Sequence, residues 1–213
     1  MREEDLNRIM EYKNNDPFIR IFDFLRFCLK EEAQEPASLE DMDWDELYAF
    51  GNKQSILGVL FHGIKKLSDS PHRPNKQQIL KWYAACSFIE QANRQAYKDA
   101  SALTTLLQEK YGVHGCVLKG QTNALMYPDP YMRTSGDIDL WTDAKTLDII
   151  RISRQLDPKG EIGYHHIELS YFKTPVEIHF FPSFMGNVWH EYKLRRFFNS
   201  RKEAQFKVSS SAS

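Results

Sequence analysis

The sequence predicts an α+β (α/β) fold, a helical N-terminal region packed on a small mixed-sheet unit. Three observations predict it. Apolar residues recur at helical spacing up to about residue 112, and short alternating β-rich runs follow. The chain's 213 residues are short for two full domains and ample for one, and can bury a core without staples. Finally, 42% hydrophobic and 27% charged residues is an ordinary globular composition, which excludes a mainly disordered or collagen-like chain.

In chain order, Asp16 and Pro17 read as an N-cap and first turn, followed by a stripe of Phe18, Phe22, Leu25 and Leu29. After a break at Pro36, a second helical stripe runs from Trp44 to Leu67. A turn-rich connector, Ser68 to Pro74, leads to one long helix from Lys76 to about Tyr111, ended by Gly112. Val113 to Leu118 reads as a strand and Thr122 to Met126 as a brief helix. Gly136 to Trp141 alternates as a strand, and Thr142 is expected to cap a helix that stops at Leu156, before Pro158. Ile162 to Phe172 and Val176 to Phe181 form an expected hairpin turning at Lys173–Pro175. A basic helix from Trp189 fades into a serine-rich end. The divisions expected are 1–111, 112–188 and 189–213.

Lysine and arginine total 28 against 29 aspartates and glutamates, which argues against nucleic-acid binding by bulk charge. Neither a signal-peptide h-region nor a stretch long enough to cross a bilayer is present, so a cytoplasmic protein is expected. Cys28, Cys86 and Cys116 read as buried free thiols rather than disulfide or zinc partners. Phe18, Phe22, Tyr83, Trp141 and Phe180 are expected in the core, although Trp141 lies on the acid face where it can stack on a base.

The chemistry concentrates in Arg133-Thr-Ser-Gly-Asp137-Ile-Asp139-Leu-Trp141. Two carboxylates at i and i+2 on a strand point the same way, about 6.5 Å apart at Cα. Such a pair converges on metal ions about 3.5–4 Å apart, the separation used for in-line phosphoryl displacement. By itself this pattern is weak, since most such pairs are surface acids or turn caps. Two further features strengthen it. Glu177 alternates with Val176, Ile178 and Phe180, so a strand beside Asp137–Asp139 brings a third acid to the same face. Upstream, a strand ends at Lys119-Gly120 and opens a helix, a setting that suits phosphate oxygens.

Strand, glycine turn, helix, paired aspartates and a later acid resemble the DNA polymerase β-type nucleotidyltransferase core. Val117-Leu-Lys-Gly120, Tyr127-Pro-Asp-Pro130, Arg133 with Gly136 to Leu140, His165-His166 and Val176 to His179 are similar to the uncharacterised nucleotidyltransferase family of bacterial proteins. The resemblance covers Val113 to about Phe181, and more loosely Leu57 to His62. It implies Asp137, Asp139 and Glu177 as catalytic metal ligands for two Mg²⁺ ions, with Mn²⁺ as a substitute. It implies that Gly120, Gln121 and Thr122 cradle the phosphates of a nucleoside triphosphate such as ATP. A nucleoside monophosphate would pass to a hydroxyl acceptor (small molecule, tRNA or protein) with release of pyrophosphate.

Lys119 and Arg133 read equally as phosphate contacts or as counter-ions of the acids. His179 shares the Glu177 face and is either a structural residue or a neighbour of that acid. One of His165 and His166 faces the acids, and the spacing leaves open which. Two departures stand out: Gln121 replaces the serine usual after the glycine, and the third acid is Glu rather than Asp. Relatives continue into a longer C-terminal helical region. The alternative expectation is therefore a catalytically inactive binding or regulatory module on the same fold.

Overall fold

The computed structural model describes residues 17–31, 34–134 and 136–209. The chain divides into two compact units, Met1–Gln91 with Ala124–Thr134 and Ala92–Asn123 with Ser135–Ser213.

In the first unit, α1 spans Pro17–Leu29 and buries Ile21, Phe24, Phe27 and Cys28. The stripe expected there is displaced: Phe18, Phe22 and Leu29 are at least half exposed. Apolar side chains surround this helix, so two stripes have helical spacing and the packing partner selects one. The residue expected to cap it, Asp16, lies outside the described residues.

The Trp44–Leu67 stripe is two helices, α2 (Trp44–Lys53) and α3 (Leu57–Lys66). They are separated at Ser55, whose φ is 59°. Asp43 caps α2, its Oδ1 accepting from the N–H groups of Asp45 and Glu46 at 2.9 and 3.0 Å. Gly58 allows α3 to approach the 3₁₀ turn Pro130–Met132, since a Cβ there would overlap the Met132 carbonyl. Trp82 and Cys86, on the long helix α4 (Lys76–Tyr111), complete this core with Leu47, Leu60 and Leu67. Tyr83, expected in that core, is exposed. Burial pushes the thiols of Cys28 and Cys86 up to about 12.

The long helix has the expected bounds. The Gly112 N–H closes it on the Gln108 carbonyl at 3.0 Å.

The second unit holds a four-stranded sheet in the order β1-β2-β4-β3, with β1 at Gly115–Val117, β2 at Ile138–Thr142, β3 at His166–Leu169 and β4 at Val176–His179. β2 and β4 are parallel, and each edge strand is antiparallel to its neighbour. One face carries Ile138, Leu140, Ile167, Leu169, Val176 and Ile178. It packs with Leu103 and Leu107 of α4 and with Ile149 and Ile152 of α6 (Thr146–Leu156). A four-residue α5, Gln121–Ala124, follows β1, and α7 spans Val188–Ser209. All five β2 residues are buried, so the strand is covered on both faces.

Two expectations about elements are corrected. Thr142 is the last residue of β2 rather than a cap, and α6 begins after Lys145. β3 is shorter than the run from Ile162, because Ile162 turns back to bridge Ile167, with Glu168 N–H donating to the Glu161 carbonyl at 2.8 Å. Cys116 is a free thiol, as are the other two cysteines, but it is half-buried rather than core. Among the described residues no helix is long and apolar enough to cross a membrane.

Candidate active site

The site is built on the other face of the sheet. Register places Asp139 opposite Glu177, and Trp141 opposite His179, across the parallel β2–β4 pair. The antiparallel β3–β4 pair sets His166 opposite His179 and Glu168 opposite Glu177. Side chains of directly opposed residues share a face. Alternation inside a buried strand thus brings acids from two distant stretches of sequence together.

The position of β4 is fixed by a buried acid on α4. Asp99 is 6% exposed and accepts from the Thr174 N–H at 2.9 Å and its hydroxyl at 2.8 Å. Burial alone would raise its carboxyl, but the Thr174 bonds, the Gln95 amide and the Lys173 charge outweigh it and hold the group below its ordinary range. The bonded residue, Thr174, immediately precedes Pro175 and β4.

Asp139 is 5% exposed and carries two cationic or polar partners on one oxygen. His179 Nε2 and Lys119 Nζ each lie 2.8 Å from its Oδ1. Burial raises its carboxyl, yet the hydrogen bonds and charges of His179 and Lys119 prevail and hold it at about 2. The Lys119 ammonium is shifted up, chiefly by its bond to Asp139. His179 Nε2 is also 3.3 Å from Glu177 Oε2. Two carboxylate acceptors at one ring nitrogen place the proton there.

His166 faces the acids from β3, its Nδ1 3.4 Å from Glu177 Oε2. The spacing of the histidine pair left its orientation open, and the register selects His166. His165 sits in the turn before β3 and reaches the same cluster through His166, at 3.1 Å between Nε2 and Nδ1. Burial, followed by the charges of His166, His179 and Lys119, pushes His165 below its ordinary value.

Asp139, Glu177 and His179 offer ligand atoms within 4.8 Å of one another, and so do His165, His166 and His179. Asp137 lies just before β2 and outside these groups, although its charge acts on Lys119. Gly120 makes the turn after β1 with a φ of 58°, a conformation that favours glycine. The Thr122 hydroxyl donates to the carbonyls of Leu118 and Lys119, and Gln121 is 5% exposed, its side-chain amide without a partner among the described residues. Arg133 follows the Pro130–Met132 turn and belongs to the first unit, whereas Lys119, Gly120, Gln121, Thr122 and the acids belong to the second.

The buried His179–Asp139 bond is the feature sequence spacing did not predict. Its available signal was the shared phase of Glu177 and His179 on β4.

The model of the family described as uncharacterised nucleotidyltransferase matches residues 40–197. The chain belongs to that family. No curated protein and no solved structure matches it. Membership in the uncharacterised nucleotidyltransferases gives the chain a generic nucleotidyl-transfer role and a nucleotide substrate. Nucleotidyltransferases commonly use divalent metals, and Asp139, Glu177 and His179 form a candidate cluster of ligand atoms for one.

Proposed function

We propose that this chain is a Mg²⁺-dependent nucleotidyltransferase that moves a nucleoside monophosphate from a nucleoside triphosphate to a hydroxyl acceptor, releasing pyrophosphate. The observation that carries the reading is the meeting of Asp139 and Glu177 on adjacent parallel strands, with the Lys119 ammonium on Asp139. That ammonium compensates a buried carboxylate, which is the role a bound cation takes over.

Asp139 and Glu177, joined by Asp137, would hold the metal. Bound there, it supplies charge neutralisation for the phosphates and lowers the pKa of the attacking hydroxyl. Lys119, released from Asp139, pairs with phosphate oxygens. The backbone turn at Gly120 approaches the triphosphate. Glu177 accepts the proton of the acceptor hydroxyl as its oxygen bonds to the α-phosphorus and the bond to pyrophosphate breaks. His179 orients Asp139 through the Nε2 bond, and His166 does the same for Glu177.

Titration calorimetry with each of the four ribonucleoside triphosphates tests this. Wild type is expected to bind at least one only when Mg²⁺ is present, and the double variant Asp137→Asn/Asp139→Asn is expected to lose that binding. Unchanged affinity in the variant overturns the metal assignment. Labelled nucleotide incubated with cell extract then identifies the acceptor.

One observation favours a second reading, an inactive binding or regulatory module. The Thr122 hydroxyl is spent on backbone carbonyls and the Gln121 side chain is buried, so neither offers a donor to phosphate. Binding without turnover to any extract component supports that module.

A further inference from the structure

On the acid face of the sheet lies a cavity of about 710 Å³, within the size range of small-molecule sites. It is lined by Leu118, Trp141, Phe197, Phe198, Arg201 and Gln205, among others. We propose that this cavity receives the base of the nucleoside triphosphate, an assignment that rests on the nucleotidyl-transfer reading above.

Position is the first argument. Trp141 is the next residue after Asp139 on the same face of β2, about 6.6 Å along the strand. Leu118 is the chain neighbour of Lys119, whose Nζ lies 2.8 Å from Asp139 Oδ1. A nucleotide whose phosphates lie between Lys119 and the acids therefore has its ribose and base within reach of the cavity.

Chemistry is the second. Trp141 is in edge contact with Phe198, their ring centroids 6.1 Å apart, and Phe197 is 54% exposed. The Arg201 guanidinium lies over the Phe197 ring at 5.8 Å. The exposed Phe197 ring and the Arg201 guanidinium plane offer faces that stack on any base. None of the described lining residues is acidic. Phe198, Arg201 and Gln205 also lie beyond residue 197, where the family match ends.

The test compares the four ribonucleoside triphosphates with inorganic tripolyphosphate, each with Mg²⁺, by calorimetry on the full chain. Wild type is expected to bind at least one nucleotide about tenfold more tightly than tripolyphosphate, the scale of one stacking contact. Ala204→Trp, which fills the cavity, and Phe197→Ala, at a half-exposed position that folding tolerates, should each erase that advantage. Tripolyphosphate affinity should stay unchanged in both variants. Equal binding of nucleotide and tripolyphosphate by wild type overturns the base assignment, leaving nucleotidyl transfer intact and the cavity to the acceptor. An advantage that survives Phe197→Ala overturns it as well. If wild type binds neither ligand, the nucleotidyl-transfer reading falls and this assignment falls with it.

Discussion

At the scale of single residues, the site depends on how two buried acids are compensated. Asp139 is held at about 2 against an ordinary value of 3.8, so its contribution to stability is fully present above about 3.8. As pH falls towards 2 the carboxyl protonates in the folded state and that contribution is lost. Urea midpoints of wild type and Asp139→Asn, measured from pH 6 down to pH 2, are expected to converge at the acid end. Asp99 has the same sign: its folded carboxyl is depressed, so it stabilises above its unfolded value and not below. Asp99→Ala leaves the Thr174 N–H and hydroxyl without an acceptor, a loss of about 1–3 kcal/mol in urea unfolding at neutral pH. The shared face of Asp139 and Glu177 was legible in the sequence through the alternation of their strands. The compensation by His179 was not, because spacing gives the phase of a side chain and not its hydrogen-bond partner.

At the scale of elements, close approach decides more than propensity. Gly58 on α3 meets the Met132 backbone, whereas Gly186 has no atom within 4 Å of a would-be Cβ. Gly58→Ala is therefore expected to lose about 1–3 kcal/mol by overpacking, while Gly186→Ala stays within about 0.5 kcal/mol, both measured by chemical denaturation. On α7, Phe206 is 6% exposed and packs on Trp141 with ring centroids 5.1 Å apart. Phe206→Ala is expected to destabilise by about 3–5 kcal/mol in the same measurement. Read from the sequence, α7 was a basic helix, since its charges outnumber the few aromatics that anchor it. The long helix α4 was legible to the residue, because its periodicity is sustained and Gly112 ends it.

At the scale of the whole molecule, each unit has its own core, and the acids, the glycine turn and the aromatic cavity all belong to the second. Ligand binding to that unit should register in thermal unfolding. Mg²⁺ with a nucleoside triphosphate at 100 times Kd is expected to stabilise by about 2.7 kcal/mol, raising Tm, whereas a triphosphate with chelator is not. A Tm rise that persists with chelator would separate binding from the divalent cation.

By itself the sequence determined the α+β class, the long helix and the strand phase that sets Asp139 and Glu177 on one face of the sheet. These are local properties, carried by spacing along the chain. Tertiary structure alone decided which apolar stripe of α1 is buried, where the Trp44–Leu67 helix breaks, that His166 turns to Glu177, and that His179 and Lys119 share one oxygen of Asp139. Each of those depends on a partner far away in the chain, and a periodic pattern names a face without naming what will cover it.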